Sequence, residues 1–260
     1  MSTACPADLV HFAEELAEAS GAVIRPYFRS HPPAEDKADL SPVTVADREA
    51  ELALRALIEK RHPSHGIIGE EYGSVRESAS HIWVLDPIDG TRAFTTGKPM
   101  FGTLIALLRD GQPLLGVIDQ PVLRERWLGA AGRPSTFKGA PARVRSCPGV
   151  GRAILNATNP MMFKGVDAAA FARVQAAAKQ TNFGGDCYAY GLLASGHIDL
   201  VIESGLNLYD FAALAPVIEG AGGLFTDWQG KRIERGSDGH VLAAGDAGVH
   251  REALGLLAAR

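Results

Sequence analysis

The sequence is poor in cysteine, has no long apolar run and carries no surplus of positive charge. Its three cysteines, Cys5, Cys147 and Cys187, are scattered and odd in number. They offer neither a disulfide framework nor zinc-type spacing, and they suit free thiols in a reducing compartment. No segment approaches the uninterrupted apolar length that a membrane span needs. The opening stretch MSTACPADLVHFAEELAEAS has no basic region, so a secretory signal is not expected. A net charge of −4 lacks the basic excess of a nucleic-acid binder. The eight histidines show no metal-ligand spacing. Internal repeats and low-complexity segments are also missing. A cytoplasmic soluble protein is expected, with neither nucleic acid nor membrane as partner.

What is present is ordinary globular composition, 46% hydrophobic and 22% charged over 260 residues, enough for two lobes with cores of their own. Apolar residues at helical spacing predict helices over 7–28 and 45–60. A polar linker, HPPAEDKADLSP, separates them. Strands are predicted over 81–85, 101–108, 114–119 and 124–130. Beyond about Arg145 strand and helix alternate: strands 153–156 and 198–203, helices 167–180, 187–195 and 210–221, then two short strands and a last helix. This order predicts a layered α/β sandwich with lobes at 1–145 and 146–260.

The stretch WVLDPIDGTR, residues 83–92, raises a physical problem. An apolar strand delivers Asp86 and Asp89 to one place, and two like charges beside a core cost stability unless something positive lies between them. A hard divalent cation would resolve the conflict, since Mg²⁺ prefers carboxylate and carbonyl oxygens. The plain alternative is a turn, which Asp-Pro and Asp-Gly both favour. Gly90 and Thr91 open a short predicted helix, whose first N–H groups suit phosphate. Other acids fall into line, each with an ordinary reading of its own. Glu70 and Glu71 end the apolar run GIIGEEYG, or simply lie in a solvated loop. Asp210 opens a helix and could merely cap it. Asp47 forms a capping-box pattern with Thr44.

WVLDPIDGTRAF, with GEE upstream and YDFAALAPVIEGAGG downstream, resembles the inositol monophosphatase family of Mg²⁺-dependent, lithium-sensitive phosphatases. Matching segments run from Pro42 to Gly223. The resemblance implies the layered αβαβα sandwich of that family and of fructose-1,6-bisphosphatase. It places metal ligands at Glu70, Asp86, the Ile88 carbonyl, Asp89 and Asp210. Two or three Mg²⁺ per site are implied, Asp86 bridging two of them. The attacking water falls to a Thr91–Asp47 pair, with Glu70 also in the catalytic set. Phosphate contacts fall on Gly90 and Thr91, beside Asp86. No phospho-enzyme is expected: the covalent aspartyl phosphatases need D-x-D, and the spacing here is D-x-x-D. A homodimer is the family expectation.

The wording DGTRAFTTGKPMFGTLIAL, GVIDQPVLRERWLG and GGDCYAYGLLASG is closer to the histidinol-phosphate phosphatase branch. Ala93, Tyr209 and the Gly184-Gly185-Asp186 run depart from the inositol-cleaving pattern without removing a metal ligand. Histidinol phosphate carries an ammonium and an imidazole, so its site should offer spare carboxylates. Asp186 and Glu203, with Asn207 nearby, are the candidates. Asp186 could instead cap the helix after it, and Glu203 could be a surface charge. Inositol-1-phosphate, sugar bisphosphates and nucleotide phosphates are alternative substrates. A non-catalytic cation-binding module is the remote alternative.

Overall fold

The computed structural model describes residues 4–30, 34–36 and 42–259, with side chains from Thr44 onward in the last stretch. An eight-stranded sheet takes the order 140–141, 136–137, 125–130, 112–120, 102–109, 81–89, 66–69, 73–75. All its neighbours are antiparallel except Gly66–Gly69 and His81–Asp89. A five-stranded sheet takes the order 180–183, 154–157, 200–203, 241–244, 224–226. Its first three strands are mutually parallel.

Helices cover both faces of the large sheet, which is why its central strands read as continuous apolar runs rather than alternating ones. Ala7–Ile24 and Val45–Arg61 pack on one face through Phe12, Leu16, Leu54 and Ile58. Asp186–Ala194 and Leu214–Gly220 fill the space between the sheets through Tyr190, Leu193, Leu214 and Ile218. Val166–Ala177 and Ala247–Ala258 close the far side on Phe171, Val174, Val249 and Ala253. The layers therefore run αβαβα, an α/β sandwich. Strand glycines let the middle layer in close: a Cβ on Gly116 would lie 1.9 Å from the Ala213 carbonyl, and one on Gly129 2.1 Å from that of Pro216. Among the described residues, no helix is long and apolar enough to cross a membrane.

Four sequence expectations need correction. The strand predicted to stop at Leu85 runs to Asp89, because after a register shift Asp89 pairs again with Gly102. The helix predicted over 167–180 stops at Ala177, and Gln180–Phe183 adds a parallel edge strand to Ile154–Ala157. The helix predicted over 210–221 is two, Leu208–Phe211 and Leu214–Gly220. Pro216 explains the break, since it has no N–H for the carbonyl of residue 212 and its ring crowds that carbonyl. Within the supposed linker, Ala34–Asp36 pairs antiparallel with Pro42–Thr44; residues 31–33 and 37–41 lie outside the described residues.

Candidate active site

Topology explains why acids distant in sequence meet. Gly66–Gly69 and His81–Asp89 are parallel, so their carboxyl ends leave the sheet on the same side. Glu70 follows the first, with its N–H on the Leu85 carbonyl at 3.2 Å, and Asp86 and Asp89 close the second. In the small sheet, Ile154–Ala157, Gln180–Phe183 and Leu200–Glu203 also end together. That brings Thr158, Asp186 and Glu203 to one rim. The rims of the two sheets touch where the Cys187 N–H donates to Asp89 Oδ2 at 2.5 Å.

At that junction Asp86, Asp89 and Asp210 each place a carboxylate oxygen within 4.8 Å of the others. Asp210 is held by its capping box, with the Asn207 N–H donating to its Oδ2 at 2.6 Å. Asp86 is 2% exposed, and its Oδ1 has no hydrogen-bond partner. Burial first, then the charges of Glu70, Asp89 and Asp210, push the Asp86 carboxyl well above its ordinary range. Asp89 is driven the same way by burial and by Asp186 and Asp210. Burial raises Asp210 to about 7 despite the Asn207 contact. An unpartnered buried oxygen among like charges is costly. The donor set is oxygen only, so the residues fit a hard divalent cation such as Mg²⁺.

The bulge between Asp86 and Asp89 is itself built. It takes the Pro87 carbonyl out of the ladder, and Thr103 Oγ1 donates to that carbonyl at 2.8 Å. Ser20 Oγ backs Thr103 at 2.9 Å, and both residues are fully buried. Gly90 then takes φ 88°, and a Cβ there would lie 3.0 Å from both the Asp186 Cγ and the Met100 carbonyl. Asp186 thus sits directly over the Gly90–Thr91 turn.

The remaining candidates divide. Asp47 is 1% exposed and makes the capping box: its Oδ2 accepts from the Thr44 N–H at 2.8 Å and the Thr44 hydroxyl at 2.5 Å. Burial raises its carboxyl to about 6 against those two contacts. The Thr91 hydroxyl donates to the Ile88 carbonyl at 3.0 Å. Thr91 and Asp47 are thus each anchored by a partner in their own turn, with the Thr91 lone pairs and Asp47 Oδ1 left for other contacts. Glu203 is no surface charge. It is 3% exposed, with Oε1 on the Thr158 N–H at 2.9 Å and Oε2 on the Tyr190 hydroxyl at 2.8 Å. Nor does Asp186 cap its helix from outside. Gly185 holds the cap position, and Asp186 starts the helix at φ 44°. A non-glycine residue in that region is strained, and such strain clusters at functional sites. Burial and then Glu203 raise its carboxyl to about 7, with Arg92 opposing.

Ser20, Thr103, Thr158 and Tyr190 are parts of this arrangement that sequence reading passed over. Each looks like an ordinary helix or strand residue until the bulge and the two rims are in place. A cavity of about 810 Å³ beside Arg109, Arg133 and Arg232 contains none of the candidate site acids.

Comparison with known proteins agrees with this geometry. A model of the inositol monophosphatase family matches residues 6–259. The chain is 54% identical over 248 residues to the bifunctional phosphatase IMPL2, chloroplastic, of Arabidopsis thaliana, covering 92% of this chain and 72% of that protein. It is 33% identical to a histidinol-phosphatase of Chlorobaculum parvum, covering 90% and 91%. An inositol monophosphatase from Zymomonas mobilis superposes with a TM-score of 0.89 and 48% identity, over 96% of this chain and 97% of that one.

Proposed function

The chain belongs to the inositol monophosphatase family, a family of phosphatases, and from that premise we propose that it is a Mg²⁺-dependent histidinol-phosphatase. The reaction would cleave L-histidinol phosphate with water to L-histidinol and phosphate, a step in histidine biosynthesis. The observation that carries the phosphatase reading is the Asp86–Asp89–Asp210 cluster with its unpartnered Asp86 Oδ1. What supports the histidinol reading is the identity to histidinol-phosphatases and the position of Asp186. Among the described residues the Asp186 carboxylate accepts no hydrogen bond, and it overhangs the Gly90–Thr91 turn.

In this reading Glu70, Asp86, the Ile88 carbonyl, Asp89 and Asp210 hold Mg²⁺, which when bound neutralises charge on the ester and eases deprotonation of the attacking water. The chain's own residues do the rest. The N–H groups of Gly90 and Thr91 orient the phosphoryl group. The Thr91 hydroxyl, donating to Ile88, presents lone pairs that accept from the water and aim it. Asp47, with a carboxyl near 6, is suited to take its proton close to neutral pH. Asp186 pairs with the substrate ammonium. Glu203, saturated by Thr158 and Tyr190, acts through its charge and by holding the rim, with Asn207 beside Asp210. We also read residues 1–145 and 146–260 as two lobes, since each sheet is drawn from one side of that boundary. The proposal includes a homodimer, and cytoplasmic residence is supported by three free, buried thiols.

A second reading, inositol-1-phosphate as substrate, is favoured by the 48% identity to the Zymomonas mobilis protein. Measuring kcat/KM for both esters, with Mg²⁺ and after chelation, tests the choice. Histidinol phosphate should be preferred, chelation should abolish both rates, and Li⁺ should inhibit. A preference for inositol-1-phosphate overturns the substrate. No metal-dependent phosphate release from any ester would leave a cation-binding module. Asp186→Ala should raise KM for histidinol phosphate, and an unchanged KM removes Asp186 from the site.

A further inference from the structure

Glu51 lies on the helix Val45–Arg61 with no exposure to solvent. A carboxylate so buried must be fully paired to be tolerated. Its partners are the chain around Glu70. Oε2 accepts from the Glu71 N–H at 2.7 Å, and Oε1 from the Tyr72 N–H at 3.1 Å. Arg55, one turn along the same helix, donates Nε to Oε1 at 2.7 Å and its other end to the Gly73 carbonyl. One Glu–Arg pair therefore grips two amides and a carbonyl of a single turn.

On the other side of Glu70, Gly69 makes the approach possible. A Cβ there would lie 2.0 Å from Glu51 Oε1. Beyond it, the Glu70 N–H is on the Leu85 carbonyl. The backbone is thus fixed before, at and after Glu70, so the Cα–Cβ direction from which its carboxylate reaches Asp86 cannot shift without breaking contacts to a buried charge. A plain i, i+4 ion pair on a helix surface contributes little and calls for neither full burial nor backbone donors.

We infer that Glu51 is a positioning residue: its carboxylate aims Glu70 at Asp86 and thereby sets the affinity of the site for a divalent cation. This rests on the reading of Glu70 as a cation ligand. Mn²⁺ titrated into metal-depleted protein, with free Mn²⁺ followed by electron paramagnetic resonance, tests it without recourse to turnover. Glu51→Gln turns an amide NH₂ towards the Glu71 N–H, or, flipped, towards the Tyr72 N–H and Arg55 Nε, so in either orientation a donor faces a donor and the turn must shift. Mn²⁺ binding should weaken about tenfold or more, as when a metal ligand loses its orienting partner. Turnover at saturating Mg²⁺ should largely recover, which a general loss of folding would not allow. Gly69→Ala, whose Cβ displaces the same carboxylate, should act in the same direction and serves if Glu51→Gln does not fold. In a Glu70→Gln background, Glu51→Gln should add less than about twofold, because both act on one contact. Unchanged Mn²⁺ affinity in Glu51→Gln and Gly69→Ala, with Glu70→Gln weakened, overturns the inference. Additive losses overturn it as well. If Glu70→Gln itself binds Mn²⁺ normally, the ligand reading of Glu70 falls, and the role of Glu51 with it.

Discussion

Asp86 and Asp199 are both 2% exposed, and they have opposite chemistry. Asp199 immediately precedes the strand Leu200–Glu203. Arg145 binds it through two parallel contacts of 2.7 Å, and the Ile154 N–H adds a third at 2.8 Å. Burial alone would raise its carboxyl, but the Arg145 and Ile154 contacts outweigh burial and hold it below the usual range. Asp86 has acids for neighbours, one oxygen without a partner, and a carboxyl pushed far upward. Burial, then, does not make a functional acid. The difference is the cation: Asp199 has one from the chain, whereas Asp86 faces other acids and fits one from solution.

The sharpest way to break the comparison is Asp86→Asn. It should cost about 10²–10³-fold in kcat/KM, on the scale of losing one preorganised charge-stabilising group. The same change should raise the melting temperature of metal-free protein, since it removes a repulsion. A lowered melting temperature there would show that Asp86 is structural, like Asp199. Next in size, Arg145→Met strands the buried Asp199 charge and should cost about 3 kcal/mol in urea unfolding, the low end for a broken buried pair because Arg145 is partly wet. Activity per folded molecule should hold. Lost activity without lost stability would contradict the division.

The pH response should also separate the two places. Asp210, raised to about 7, contributes stability to metal-free protein that is fully present below its unfolded value near 4 and is lost as pH rises through about 7. Asp199, lowered, contributes stability present above that unfolded value and lost only as acid takes the pH through its folded value. Melting temperatures of metal-free protein should therefore fall from pH 5 to pH 8, and Asp210→Asn should flatten that slope. Added Mg²⁺ should stabilise more at pH 8 than at pH 6; an equal gain at both would mean that no carboxyl proton is displaced. The smallest effect is expected for Thr103→Val, which takes the donor from the Pro87 carbonyl. About 1–2 kcal/mol of stability should go with it, and none if water replaces the hydroxyl.

Much of this was legible in the sequence because it is local. The apolar runs of the central strands, the Thr44–Asp47 box and the D-x-x-D pair each write their meaning within a few residues. Pro216 marks a break as well, but the apolar periodicity of 210–221 runs across it and favours a single helix. Other features had no local signal. Gln180–Phe183 forms a strand only because Ile154–Ala157 offers an edge beside it. Glu203 reads as a strand-end charge until Tyr190 and Thr158 close on it.

By itself the sequence determined which acids exist, which segments would be strand or helix, and which side chains were too apolar to stay in water. Those are properties of single windows of chain. Tertiary structure alone decided which acids would be left without a cation. Asp86 and Asp89 share one strand end, and Asp210 joins them because the short helix Leu208–Phe211 packs against that strand, where like charges are held out of solvent. Asp199 escapes that fate because the fold hands it Arg145. Electrostatic energy depends on distance and on access to water, and both are fixed only when the sheets meet.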